Sequence, residues 1–132
     1  MIAVDTSALI AIVKEEEAAD ICSRAMATVP KIIISAGTLA EAQIVALRAK
    51  RLPELMDILK ASIGEVIPVT DARARFVSEI YSAWGKGFHP AFLNFGDCFA
   101  YATAKEFDCP LLYIGNDFAK TDVKSAIPLP RA

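Results

Sequence analysis

The sequence predicts an α/β fold, a three-layer α/β/α sandwich with a mostly parallel central sheet of about five strands. Short apolar runs rich in β-branched residues alternate with longer segments whose apolar residues recur at helical spacing. The short runs lack polar alternation, so both faces of each strand are expected to be buried. No shift in composition, internal repeat or low-complexity tract interrupts this alternation. Residues 1–132 are therefore expected to form a single domain.

Composition narrows the class of protein. Hydrophobic residues make up 55% of the 132 positions, which excludes disorder and leaves apolar surface for a partner. No apolar run approaches the roughly 20 residues of a membrane span, and the N-terminus lacks the features of a signal peptide. The three cysteines form no C-x-x-C pair, which favours reduced thiols. We expect a cytoplasmic protein without a membrane segment.

The net charge of −2 does not decide whether the chain binds nucleic acid. A negative total argues mildly against a broad nucleic-acid-binding surface, because such surfaces carry clustered Lys and Arg. Carboxylates gathered around metal ions, however, lower the formal charge without giving the outer surface a negative face. A metal-dependent nuclease therefore remains compatible with this charge.

The first half of the chain is predicted to contain two strands and four helices. In order, these are a strand at 2–5, helices at 6–14 and 15–27, a strand at 31–35, and helices at 36–50 and 53–63. Glu15, Glu16 and Glu17 are expected to open the second helix in solvent, since acids in a first turn interact favourably with the helix dipole. Pro53 suits the first turn of the fourth helix.

The second half continues the same alternation. It is predicted to contain a strand at 65–69, a helix from 70 or 71 to 84, an irregular stretch at 85–96, a helix at 97–107, a strand at 111–114 and a final strand near 126–127. Pro68 indicates an edge strand or a strand end. Thr70 or Asp71 would cap the following helix, and Asp97 would open the next one.

The irregular stretch 85–96 is glycine-rich and aromatic, and loops of this length are often functional. Phe88, Phe92 and Phe95 are expected to be buried over a helix end. The alternative is that they stack on a base or cover a partner. His89 is expected to be structural, because no Ser or Cys nucleophile motif lies near it.

Four acids stand at comparable places in the predicted fold. Asp5 ends the first strand, Asp117 follows the strand at 111–114, and Asp97 opens the helix that leads into that strand. Glu41 lies beside the apolar stripe of the helix at 36–50. The carboxyl ends of parallel strands are where ligands bind in such sheets, so the four side chains are expected to converge there. The alternative for Glu41 is a boundary position paired with Arg48 or Lys50.

Converging carboxylates need a cation. Two of them at ~4 Å repel each other by ~4 kcal/mol at an effective dielectric constant of 20. Oxygen ligands without His or Cys suit Mg²⁺ or Mn²⁺ better than zinc. Carboxylate-bound Mg²⁺ suits phosphoryl chemistry, in which one ion activates water and a second steadies the leaving oxygen. The sequence contains neither the P-loop motif nor a G-x-G-x-x-G after the first strand.

Four segments together resemble one family. These are Asp5-Thr6-Ser7, the helix carrying Glu41, residues 89–98 and residues 111–118. They are similar to PIN domains and more closely to the VapC toxins of bacterial toxin–antitoxin pairs. The resemblance covers essentially the whole chain, and its most specific part is 89–98 followed by 115–122. It implies a PIN-like fold and a Mg²⁺- or Mn²⁺-dependent endoribonuclease that cleaves RNA. It also implies a homodimer held inactive by a cognate VapB-type antitoxin.

The resemblance assigns roles to the four acids. Asp5 and Asp97 match the positions that hold metal directly. Glu41 matches the acid that completes the metal shell, often through water. Asp117 matches the fourth catalytic acid.

Residues beside these acids are expected to support them. Many PIN domains have Thr-x-Asp where this chain has Gly115-Asn116-Asp117, so Asn116 or Asp122 could stand in for the fourth acid. Thr6 or Ser7 would orient Asp5 through a hydroxyl hydrogen bond. Plain helix capping is the other role open to these two hydroxyls.

Two further functions are compatible with a small α/β domain that carries acids. A receiver-type signalling module would bind Mg²⁺ but would need a phosphoryl-accepting Asp at the end of the third strand. That strand ends Val69-Thr70-Asp71, where Asp71 suits a helix cap. A non-catalytic PIN-like binding domain is the other alternative, and the presence of all four acids argues against it.

Overall fold

The computed structural model describes residues 1–128, so the last four residues of the predicted domain lie outside it. Four strands and six α-helices alternate along the described chain. The strands are β1 (Ile2–Val4), β2 (Ile32–Ser35), β3 (Glu65–Ile67) and β4 (Leu111–Leu112). The helices are α1 (Thr6–Val13), α2 (Ala19–Ala27), α3 (Ala36–Arg48), α4 (Leu52–Ser62), α5 (Asp71–Trp84) and α6 (Phe95–Glu106).

The sheet is parallel throughout and has the strand order β3-β2-β1-β4. Ala3 is paired with Ile33 on one side and with Leu111 on the other. The chain therefore adds β2 and β3 to one side of β1 and returns at its end to add β4 to the other. In open α/β sheets such a reversal creates a crevice beyond the carboxyl ends of the two strands. This places the candidate site between the ends of β1 and β4.

Both faces of the sheet are buried, which confirms the predicted three-layer α/β/α arrangement. Ile2 and Val4 face the core under α1, α2 and α4, while Ala3 faces the core under α5 and α6. Each strand residue of β1 is at most 4% exposed. Strands buried on both faces explain why these segments read as continuous apolar runs.

The prediction of about five strands was wrong by one within residues 1–128. Near 126–127 the chain forms an isolated bridge from Ser125 to Leu111 and no strand. The Ser125 hydroxyl donates to the Ile127 carbonyl at 2.6 Å and accepts from the Ile127 N–H at 3.3 Å. Such local side-chain hydrogen bonds satisfy backbone groups that a sheet would otherwise use.

Two predicted helix starts were also wrong. Residues Glu15–Glu17 form a turn, with Glu15 in the left-handed region at φ 52°, and α2 begins only at Ala19. Helix α6 begins at Phe95 instead of Asp97, because Asn94 is its N-cap. The Asn94 carboxamide accepts from the Asp97 N–H, and the Asp97 carboxylate accepts from the Asn94 N–H. This reciprocal capping box starts the helix two residues earlier than predicted.

The expected burial of three phenylalanines was wrong as well. Phe88, Phe92 and Phe95 are 64%, 54% and 72% exposed. His89 behaves as expected, since its Nδ1 accepts from the Ala91 N–H at 2.9 Å and its ring packs on Trp84. In residues 1–128, no helix has the length and apolar character needed to cross a membrane.

Candidate active site

Asp5 lies at the carboxyl end of β1, where the crevice between β1 and β4 opens. Its Oδ2 accepts from the Ser7 N–H at 3.0 Å and from the Ser7 hydroxyl at 2.6 Å, which makes Asp5 the N-cap of α1. Ser7 Oγ in turn accepts from the Ile114 N–H just beyond β4. One hydroxyl thus links the two strand ends and fixes Asp5. The side chain is only 3% exposed, and its Oδ1 has no hydrogen-bond partner among the described residues.

Glu41 reaches the same crevice from α3. The Thr6 hydroxyl donates to Glu41 Oε1 at 2.7 Å. Of the two hydroxyls proposed to orient Asp5, only Ser7 therefore contacts it, while Thr6 supports Glu41. Within residues 1–128 the ion pairs do not include Glu41, so the alternative pairing with Arg48 or Lys50 is not observed.

Asp97 enters from the first turn of α6. Its Oδ2 is engaged by the capping box with Asn94 at 3.0 Å, and its Oδ1 lies outside that box. A helix cap and a metal ligand are compatible roles for a carboxylate, because capping uses one of its two oxygens.

Asp5, Glu41 and Asp97, three of the four acids predicted to converge, line one cavity of about 310 Å³, and Asp117 does not line it. Glu16 is a fourth acid on its wall and was missed in the sequence. The turn after α1 carries it there, and its carboxylate is 3.7 Å from Lys14 Nζ. No local pattern identifies Glu16, since its place depends on the left-handed turn at Glu15. The remaining lining residues are Thr6, Ser7, Ile10, Val45 and Ile114.

Two acids of this cavity, Asp5 and Asp97, hold protons more tightly than ordinary carboxyls. Burial raises the pKa of Asp5 to about 6, against the effect of its Ser7 hydrogen bonds, and the charge of Glu41 adds to the rise. Burial also raises the pKa of Asp97 to about 7, and the charges of Asp5, Glu41 and Asp117 add to it. Desolvation and mutual repulsion both disfavour the ionised forms. An added cation would relieve both.

The remaining predicted residues lie at or beyond the rim. Asp117 is exposed at the start of a 3₁₀ turn, Phe118–Lys120, close enough for its charge to raise the pKa of Asp97. Asn116 is also exposed. Asp122 does not join the cluster: it accepts from the Tyr101 hydroxyl, and from Lys105 Nζ at 3.1 Å. Its position therefore does not support a role as stand-in for the fourth acid.

The donor set fits a hydrated divalent ion. The Asp5 Oδ1 is buried and has no hydrogen-bond partner in the described part of the chain, so its lone pairs are free to coordinate an ion. A buried carboxylate oxygen left without any partner costs free energy. Among residues 1–128 no three Asp, Glu, His or Cys side chains form a preformed metal cage. Mg²⁺ usually binds one or two carboxylates and keeps several waters. Asp5 and Asp97 would suffice for such an ion.

Comparison with known proteins identifies the family of the chain. The sequence profile of the PIN domain matches residues 2–124. The chain belongs to the PIN-domain family. Within that family it is similar to ribonuclease VapC28 of Mycobacterium tuberculosis, with 42% identity over 129 residues that cover 94% of this chain and 96% of VapC28.

Two solved structures share the fold. VapC20 of Mycobacterium tuberculosis, described as a toxin that cleaves the sarcin–ricin loop, superposes with a TM-score of 0.75 at 17% identity, over 93% of this chain and 96% of VapC20. A chain of a toxin–antitoxin complex from Klebsiella pneumoniae gives 0.70 at 20% identity, over 92% of this PIN domain and 93% of that chain.

Replacing Ser7 with Ala is expected to weaken divalent-cation binding about 10-fold to 100-fold, the usual effect of removing a group that orients a metal ligand. Ser7 gives Asp5 its shortest hydrogen bond and anchors it to Ile114. Titration with Mn²⁺, followed by electron paramagnetic resonance, measures this affinity. Ser23→Ala on the exposed surface of α2 is the matched control. Equal affinity in Ser7→Ala and wild type would contradict the orienting role.

Proposed function

We propose that this PIN domain, residues 1–132, is a toxin: a Mg²⁺-dependent endoribonuclease that hydrolyses RNA phosphodiester bonds in the cytoplasm, with Mn²⁺ as a possible substitute. The observation that carries the proposal is the unpartnered buried Oδ1 of Asp5, a residue that lines one cavity together with Glu41 and Asp97. Family membership and the names of the VapC ribonucleases support the choice of RNA as substrate.

Each residue has a task in this proposal. Asp5 and Asp97 hold the ion, and Ser7 and Asn94 keep these two carboxylates in place. When bound, the ion would supply Lewis-acid activation of water and neutralise charge on the phosphate. Glu41, fixed by Thr6, accepts a hydrogen bond from water in the cavity and orients it.

The rim and walls of the cavity complete the proposed site. Asp117 supplies negative charge at the rim and is the proposed fourth catalytic acid. The walls of the cavity include the partly exposed residues Ile10, Val45 and Ile114, and the cavity is open to solvent.

A purified-protein assay tests the activity. Structured RNA incubated with the protein is expected to be cut when Mg²⁺ is present and to stay intact in excess EDTA. Cleavage that is equally fast in EDTA would contradict the metal dependence. A folded protein that binds RNA without cutting it under any tested metal would identify a non-catalytic binding domain instead.

We further propose two protein partners, a VapB-type antitoxin and a second copy of the chain. Two exposed apolar surfaces are available for them. One is on α3, where Ile44 and Leu47 are 56% and 62% exposed. The other is a groove of about 480 Å³ between α5 and α6 that Phe95 borders. Exposed apolar area of this kind often marks protein contacts.

A small reading frame beside the gene is expected to encode the antitoxin. Coexpression should yield a complex that copurifies, and the complex should cut RNA more slowly than the free toxin. Sedimentation of the free toxin should give the mass of a dimer. A neighbouring product that binds without slowing cleavage would contradict the inhibitory role, and a monomer at all concentrations would contradict the dimer.

The receiver-type alternative is not favoured by the structure. Asp71 lies on the surface of α5 with a 90% exposed side chain, paired with Arg75 at 2.7 Å. It is not among the residues that line the acid cavity. Thr70 is the residue that caps α5, through the Arg73 N–H. A phosphoryl-accepting Asp beside the Mg²⁺ site is therefore not provided by this strand end.

A further inference from the structure

Gly96 lies between the cap of α6 and Asp97, and it is buried against the end of Glu41. A Cβ atom built on Gly96 would come within 2.8 Å of all three atoms of the Glu41 carboxylate group. Real side chains do not approach this closely, so any residue other than glycine would displace the carboxylate or the helix. The backbone at Gly96 is outside the left-handed region. A side chain at this position lacks space, not a permitted backbone conformation, and the atoms in its way are the end of the flexible Glu41 side chain.

The Glu41 carboxylate is thus held on two sides. The Thr6 hydroxyl bonds Oε1 at 2.7 Å, and the bare backbone of Gly96 lets the carboxylate lie against the first turn of α6. That turn also carries Asp97, the next residue. The distance between the acid on α3 and the acid on α6 therefore depends on the missing side chain at position 96.

We propose that Gly96 is a positioning residue that sets the place of Glu41 relative to Asp97. The inference rests on the proposed function of the cavity. With Ala at position 96, Glu41 must leave Thr6 or α6 must move away together with Asp97. Either change alters the arrangement of acids around the cation, and we expect Mn²⁺ affinity to fall at least 10-fold, as it does when a group that orients metal ligands is removed.

Urea denaturation in EDTA tests the contact without metal. Gly96→Ala is expected to lower the urea midpoint of the wild type modestly, because the end of Glu41 must move aside and lose its hydrogen bond from Thr6. In a Glu41→Ala background the same change should leave the midpoint unchanged or raise it, because no carboxylate remains to collide and Ala is the better helix former. If Gly96→Ala alone does not fold, folding of the double variant demonstrates the contact. An equal loss in both backgrounds would overturn the proposal.

Mn²⁺ titration tests the positioning role. The matched control is Gly37→Ala, whose Cβ would lie 2.5 Å from ring carbons of Phe99 and so disturbs the same pair of helices away from the acids. Gly37→Ala should lose stability and keep its Mn²⁺ affinity, whereas Gly96→Ala should lose affinity. Equal affinity loss in the two variants, or unchanged affinity in Gly96→Ala, overturns the inference. Failure of the wild type to bind Mn²⁺ would instead overturn the proposed function.

Discussion

Replacing Asp5 with Asn is expected to slow Mg²⁺-dependent RNA cleavage at least about 100-fold while the protein stays folded. Asn keeps the shape of Asp and is an equally good helix cap, so the hydrogen bonds from Ser7 can persist. The substitution removes the negative charge and one strong oxygen ligand from the site. The rate of cleavage of a structured RNA, with circular dichroism as a check on folding, measures the effect.

Asp97→Asn is expected to cause a loss of similar size, and the double variant little more than either, since groups that act on one ion are not additive. Asp71→Asn is the matched control, because Asp71 is exposed on α5 and, within residues 1–128, is paired only with Arg75. Asp71→Asn should cleave at the wild-type rate. Undiminished cleavage by the Asp5→Asn, Asp97→Asn double variant would contradict the assignment of the site.

The second large effect concerns stability and pH. Folding raises the pKa of Asp5 from 3.8 to about 6 and that of Asp97 from 3.8 to about 7. Between pH 4 and pH 7, roughly, the folded protein binds more protons than the unfolded chain. The free energy of unfolding therefore falls as pH rises through this range. The raised pKa of Asp5 alone lowers the free energy of unfolding at pH 8 by on the order of 3 kcal/mol. Urea denaturation in EDTA at pH 5 and pH 8 measures the difference.

Two comparisons isolate the cause of this pH dependence. The Asp5→Asn, Asp97→Asn double variant should lose most of the difference between pH 5 and pH 8, because neither group titrates. Mg²⁺ at 100 times its dissociation constant should stabilise the wild type at pH 8 by about 2.7 kcal/mol and leave the double variant unchanged. The free energy of unfolding in EDTA is compared between pH 5 and pH 8 for both proteins. A gain at pH 8 in the wild type relative to the double variant would contradict the raised pKa values of Asp5 and Asp97.

The elements that position the acids were predictable because their signals are local. The continuous apolar runs at β1 and β2 predict strands that are buried on both faces. The position of Asp5 at the end of β1 predicts that its side chain lies at the crevice. Glu41 was predicted to look inward from its position beside the apolar stripe of α3, and it does. The family and the parallel α/β fold were confirmed. The catalytic and metal-binding roles of the acids stay predictions.

Other features depend on contacts that spacing does not encode. Thr6 and Ser7 are adjacent hydroxyls that could each support Asp5 or cap a helix. Only the approach of α3 decides that Thr6 bonds Glu41 while Ser7 bonds Asp5. Glu16 reaches the cavity through a left-handed turn. Phe95 was expected to be buried because it is aromatic, yet it stays exposed on the first turn of α6 beside an apolar groove. In each case long-range packing decides the outcome.

The central claim is that Asp5 and Asp97 hold a catalytic divalent cation, and direct Mn²⁺ binding tests it. Electron paramagnetic resonance at pH 8 counts free Mn²⁺ as wild type or the Asp5→Asn, Asp97→Asn double variant is added. The wild type is expected to bind Mn²⁺ in competition with Mg²⁺, and the double variant is expected to leave it free. Equal binding by the two proteins, or a wild type that binds none, would contradict the claim.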